Sequence, residues 1–236
     1  MALEQILLVR HYRSMSNDRG VIQGSVDIPL QLGYRTGVDE LTDLIVQEEG
    51  LTPAQTIYMI SSNLGRTYDT ADRMHRRLRD RHHLKSEHRF TEDLKERGQG
   101  VLEGMGFKEA LPLLSSDPTL SPNAETVYGL LYLSNDVPSG ERHEDVAERL
   151  RRVFQEYVQR LNGTGIFALH LISGMNHFRN LLTDGNILGD PQRPYEHYPN
   201  LSVVRLELDP QRYMRYRVTQ TYGPPNHHNT VTIPLI

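Results

Sequence analysis

The start of the chain constrains it most. Ile6-Leu7-Leu8-Val9 is an uninterrupted apolar run, short enough for a buried strand. It stops at Arg10-His11, and the polar stretch Arg13-Ser14-Met15-Ser16-Asn17-Asp18-Arg19-Gly20 follows. Arginine and histidine at the carboxyl end of a buried strand sit where open α/β sheets hold their ligands. Arginine presents a rigid fork of donors to a phosphate. Histidine presents a nitrogen that can be neutral and nucleophilic near pH 7.

The polar stretch continues through Gln23-Gly24, Asp27, Pro29-Leu30 and Gly33. Together with Arg10, His11, Ser14 and Asn17, these residues resemble the amino-terminal signature of the histidine phosphatase (phosphoglycerate mutase-like) superfamily. Tyr12 stands where that signature has glycine. Farther on, Ile57-Tyr58-Met59-Ile60 reads as a second buried strand, and Ser61-Ser62-Asn63 supplies helix-start chemistry. Arg66-Thr67 and Thr70-Ala71 then resemble the superfamily's second phosphate-binding arginine motif. Leu94-Lys95-Glu96-Arg97, with Gly100, Leu102 and Gly104, is similar to its mutase branch. That resemblance makes Glu96 the candidate proton donor and Arg97 a candidate substrate ligand.

The 236 residues suffice for one large α/β domain, and no repeat or low-complexity tract interrupts them. The absence of cysteine excludes disulfides, thiolate catalysis and Cys-based metal sites. A net charge of −4 argues against a nucleic-acid binder. No apolar stretch approaches membrane-spanning length, and no basic leader precedes Ile6. A cytoplasmic protein is the expectation.

Val38, Leu41, Leu44 and Ile45 follow helical spacing up to Gly50. A second helix carries Ala71, Met74 and Leu78 inward. Its outer arginines and His75, His82, His83 and His88 extend a basic helical stretch over 73–89. That stretch reads first as a solvated face. A nucleic-acid patch or a metal site on it would lack support from the acidic remainder and from ligand spacing. Residues 105–137, punctuated by Pro112, Pro118 and Pro122, read as an insertion or lid with a short helix from Ala124 to Leu133. Val146, Leu150, Val153, Tyr157 and Leu161 mark an amphipathic helix, and Ile166–Ile172 the next strand. Leu201–Leu208 and Tyr213–Thr221 form a hairpin by the same reading. The tail, 222–236, ends in apolar residues that need cover on the body or on a second subunit.

The superfamily places a second histidine at the end of the strand expected here. Taking that strand to Ile172 puts Gly174 or Ser173 in the histidine's position. Of the two nearby histidines, His170 falls inside the expected strand, and His177, nearer its end, is the favoured substitute. Losing one preorganised donor costs about 10²–10³ in rate.

The resemblance implies a three-layer α/β/α sandwich with a mostly parallel sheet, in one domain spanning the chain. It implies phosphoryl transfer through a phosphohistidine, most simply hydrolysis of a small phosphomonoester without cofactor or metal. The implied catalytic set is His11, Arg10, Arg66, Glu96 and His177. Ser14, Asn17, Gln23, Gly24 and Arg97 are the implied substrate-binding set. A mutase-type isomerase and a catalytically silent phosphate-binding scaffold are the alternatives, the latter because the second histidine is missing in this register.

Overall fold

The computed structural model describes residues 2–188, 195–212 and 214–223, with the backbone of 231–232. The first apolar run is strand β1 (Gln5–Arg10), and helix α1 (Met15–Arg19) follows its polar turn. Next come α2 (Tyr34–Glu49), β2 (Thr56–Ser61), α3 (Gly65–Asp80) and β3 (Lys85–Phe90). The insertion carries α4 (Phe107–Leu114) and α5 (Ala124–Leu133). Helix α6 (His143–Val153) leads to β4 (Thr164–Leu169), and α7 (Arg179–Asp184) follows a π-type helical segment, Leu171–Phe178. The last elements are β5 (Glu196–His197), β6 (Val203–Leu208), β7 (Tyr216–Tyr222) and β8 (Val231–Thr232).

Six strands form one sheet in the order β3-β2-β4-β1-β6-β7. The first four are parallel; β6 runs antiparallel to β1, and β7 antiparallel to β6. The steps β1 to β2 and β2 to β3 move one way across the sheet, and β3 to β4 moves back. Right-handed crossovers therefore require their helices on opposite faces. The core divides accordingly. Leu7, Val9, Ile57 and Met59 pack under α2 and α3 with Val38, Leu41, Met74 and Leu78. Ile6, Leu8 and Ile60 point to the other face, against residues of α4 to α7 such as Ala110, Val127, Leu150 and Leu182. The strand pleat thus feeds two cores, one on each side of the sheet, which makes the expected three-layer α/β/α fold.

The basic helical stretch over 73–89 ends early. Helix α3 stops at Asp80, and residues 85–90 form edge strand β3 beside β2. The edge strand is partly covered on both faces, so its sequence, Lys-Ser-Glu-His-Arg-Phe, carries no alternation to reveal it. The face of α3 that looked solvated is mostly paired. Arg73 binds Asp39 of α2, Arg77 binds Asp43 at 2.6 Å, and His82 meets the same carboxylate at 2.6 Å. Helix α4 was hidden by Pro112, which lies within it. Of the tail beyond Gly223, only Val231–Thr232 is described, paired with Glu196–His197; its other residues lie outside the described part. Among the described residues, no helix is long and apolar enough to cross a membrane.

Candidate active site

Strands β2, β4 and β1 are neighbours, so their carboxyl ends supply one rim. Register sets what meets there. Arg10 is paired with Leu169, and the His11 amide donates to the Leu169 carbonyl at 3.0 Å. The next residue on each strand is then a histidine, His11 and His170, with ring centroids 5.5 Å apart, edge to face.

His11 is nearly inaccessible, at 3 % exposure. Its Nδ1 lies 2.5 Å from the Tyr12 carbonyl oxygen. A carbonyl only accepts, so Nδ1 carries the proton and Nε2 keeps its lone pair. Burial, then the nearby Arg66 and Arg10 charges, hold the His11 pKa well below the ordinary imidazole value. The ring is thus held neutral with Nε2 open towards the cleft. Tyr12 turns away from the cleft towards Gly37, where an added Cβ would come within 2.6 Å of its ring.

Arg10 and Arg66 are both buried. Arg10 donates through Nη1 to the Tyr198 carbonyl, and its Nε has no partner. Arg66, in the first turn of α3, donates Nη1 to Val26 O at 2.6 Å and Nη2 to Gly24 O at 2.7 Å. Its Nε donates to His170 Nδ1 at 3.1 Å. Gly24 adopts φ +53°, and a Cβ there would lie 2.1 Å from Glu103 Oε1, so only glycine presents that carbonyl. Among the described residues, neither guanidinium is bonded to a carboxylate. Glu96 acts on both charges from across the cleft without touching either, so their free N–H groups favour an anion between them.

Glu96 faces the same cleft, which Asn17, Gln23, Gly24, Tyr128 and Leu171 also line. Its oxygens accept from the backbone N–H groups of Arg97 (2.8 Å), Ile172 (3.0 Å) and Ser173 (2.8 Å). Two of these open the helical segment after β4, where unpaired amides favour a carboxylate. Ser14 stands behind the cleft. Its amide donates to Asn17 Oδ1 at 2.9 Å and its hydroxyl to Gln23 Oε1 at 2.8 Å, and Gln23 also hydrogen-bonds the Tyr128 side chain. An outer vestibule of about 210 Å³ continues from Arg10 past Arg13, Phe107, Tyr128, His197 and Asn200. Phe107 and Tyr128 come from the insertion, so α4 and α5 wall the entrance.

Two residues of the sequence-derived site lie elsewhere. Arg97 points away from the cleft: Nε donates to Glu141 O at 2.7 Å, and Nη1 to Leu131 O at 2.9 Å and His143 Nε2 at 2.8 Å. His177 is buried between Tyr132 and His143, at ring distances of 4.9 and 5.3 Å. The residue beside His11 is His170. The sequence register overran because Leu171-Ile172 continues the apolar run, whereas the strand ends at Leu169 and those residues open a helix. A continuous apolar run does not distinguish a buried strand from a buried helical turn. The expected histidine position, Gly174, has no room: a Cβ there would sit 2.5 Å from the Leu169 Cβ. The missed signal was His170 itself, one residue past a strand that ends level with β1.

A neutral imidazole between two buried guanidinium groups, with a carboxylate facing them, is an arrangement that can receive a tetrahedral anion. The sequence model of the histidine phosphatase superfamily (branch 1) matches residues 6–219, and the chain belongs to that superfamily. Solved structures share the fold. A mycobacterial glucosyl-3-phosphoglycerate phosphatase in complex with VO3 is 19 % identical, with a TM-score of 0.66, covering 92 % of this chain and 97 % of its own. A protein described as mycobacterial hydrolase 1 is 18 % identical, with a TM-score of 0.64 and the same coverages. A Thermus thermophilus protein is 20 % identical, with a TM-score of 0.57, covering 93 % of this chain and 99 % of its own. No curated protein matches the chain in sequence.

Proposed function

We propose that this chain hydrolyses a small phosphomonoester through a phosphohistidine on His11. The observation that carries the reading is His11 held neutral, Nε2 open, between two buried guanidinium groups that lack a carboxylate partner. Arg10 and Arg66 bind the equatorial phosphoryl oxygens, with the Asn17 side chain beside them. Positioning and charge stabilisation are most of what such a transfer needs. The Nε2 lone pair forms the P–N bond while the bond from phosphorus to the leaving oxygen breaks, and a proton passes from the Glu96 carboxyl to that oxygen. Water then attacks phosphorus, the P–N bond breaks, and the water proton returns to Glu96.

A vestibule of about 210 Å³ supports a compact leaving group, since sites for drug-sized ligands enclose roughly 300–1,000 Å³. With Arg97 turned inward, the mutase alternative loses the substrate ligand that suggested it. With His170 beside His11, a silent scaffold loses its main argument.

The test is turnover of p-nitrophenyl phosphate together with alkaline quench for a base-stable, acid-labile phosphoprotein. Both signals are expected in the native chain and absent from His11→Ala. Turnover surviving in His11→Ala would refute the reading.

A further inference from the structure

Behind the cleft, Ser62 and Thr67 are fully buried and line no part of the anion site. Their hydrogen bonds have only one consistent polarity. Arg66 Nε is always a donor, so His170 Nδ1 must accept from it at 3.1 Å. A neutral His170 then carries its proton on Nε2, which lies 3.1 Å from Ser62 Oγ. Ser62 Oγ also accepts from the Leu64 amide at 3.2 Å, which fills both of its lone pairs. Its own proton therefore goes to Thr67 Oγ1, 2.6 Å away. Thr67 in turn donates to the Leu64 carbonyl at 3.0 Å. Every donor and acceptor in the chain is used once, and reversing any link would leave two donors face to face.

We propose that Ser62 and Thr67 are positioning residues for the phosphoryl-transfer site: their one-way hydroxyl relay holds His170 as the Nε2–H tautomer, so that its Nδ1 lone pair aligns the Arg66 guanidinium. This rests on the reading of the site given above. The relay ties two strand ends to the start of a helix. His170 follows β4, Ser62 follows β2, and Thr67 stands beside Arg66 in the first turn of α3. With His170, Val26 O and Gly24 O each taking one of its five N–H groups, Arg66 keeps two for the dianion in a fixed plane. The opposite tautomer would set an Nδ1–H against the Arg66 Nε–H and release that plane. The second histidine of this chain thus acts through Arg66 as well as by its place beside His11.

The test is histidine-selective 15N NMR of the full chain, joined to steady-state kinetics with p-nitrophenyl phosphate. His170, assigned by the signal lost in His170→Gln, is expected as a neutral Nε2–H tautomer, and His11 as the Nδ1–H tautomer. In Ser62→Ala the His170 signals should move to a mixture of tautomers. Since small misplacements of a positioned group cost up to about 10²-fold, kcat should fall at least about tenfold with KM changed less than about twofold. Ser62→Thr, which keeps the hydroxyl, should recover most of the loss. If Ser62→Ala does not fold, Thr67→Val, nearly isosteric, is read the same way. An Nδ1–H tautomer for His170 in the native chain, or unchanged kcat in the folded variants, overturns the relay. Because the tautomer is read in resting protein, an inactive native chain would refute the phosphatase reading without touching this result.

Discussion

At the residue scale the site is a set of unfinished valences. Arg10 Nε has no partner, and two Arg66 N–H groups, with the Nε2 of His11, remain unengaged. An oxyanion's oxygens can accept from the guanidinium N–H groups, while its central phosphorus or vanadium atom, not an oxygen, meets the Nε2 lone pair. Vanadate or phosphate should therefore raise the Tm, by an amount equivalent to about 2.7 kcal/mol at one hundred times Kd. Arg66→Ala should abolish that shift. Glu96 is bonded to three backbone amides, two at Oε1 and one at Oε2, which leaves one lone-pair site on Oε2 for the proton that serves a leaving oxygen. Glu96→Gln should lower kcat for an alkyl phosphate by about 10²–10⁴, the usual worth of a general acid. The loss should be far smaller for p-nitrophenyl phosphate, whose leaving group needs no proton. An equal loss on both substrates would remove Glu96 from the acid role. Arg97 gives the opposite signature. Arg97→Leu strands the Leu131 and Glu141 carbonyls, so it should destabilise the fold by about 2–3 kcal/mol, read in urea melts. The KM of the folded fraction should stay unchanged.

Elements explain why these residues meet. The relevant unit is three adjacent parallel strands whose carboxyl ends are level, with α3 starting directly above them. Helix α3 is anchored from outside by Asp39 and Asp43 of α2. Bonding to Arg77, against a smaller opposing effect of burial, holds the Asp43 carboxyl down at about 2. The lowered folded-state pKa means that this contribution is present above the unfolded value near 3.9 and is lost as pH falls through about 2. The pair is half-buried and still screened by solvent, so Asp43→Asn should cost about 1 kcal/mol at neutral pH, measured by denaturant melts, and less at high salt. The insertion elements act on selectivity. Tyr128 of α5 reaches both the cleft and the vestibule. Tyr128→Ala should widen the entrance and relax discrimination between small and bulky aryl phosphates, with retained phosphohistidine formation.

The whole molecule has an acid weakness. His11, His170 and His177 are fully buried, and burial drives each pKa well below the ordinary value. Unfolded, each takes up a proton near pH 6.5; folded, none does. The unfolded state then binds more protons, and stability falls as pH drops below about 6.5, approaching roughly 1.4 kcal/mol per pH unit for each such histidine. Urea midpoints at pH 7.5 and 5.5 should differ sharply. His177 bears on this alone, since neither of its ring nitrogens has a partner and it lies outside the cleft. His177→Phe should flatten the pH dependence without loss of turnover.

Local pattern in the chain, read with the superfamily resemblance, marked the strand that ends at Arg10-His11, the turn through Gln23-Gly24, the Arg66 helix start and the Glu96 loop. Each of these is a few consecutive residues that match a short motif. Two matters depended on partners far along the chain. Strand β3 exists because β2 offers it hydrogen bonds at the sheet's edge, and its polar residues show no period of their own. The identity of the second histidine turned on where β4 ends, and an apolar run has no mark at the point where strand gives way to helix. Only the pairing of β4 with β1, Leu169 level with Arg10, places His170 beside His11. The same long-range packing turned Arg97 inward, because the direction of a side chain depends on which acceptors the fold brings near it.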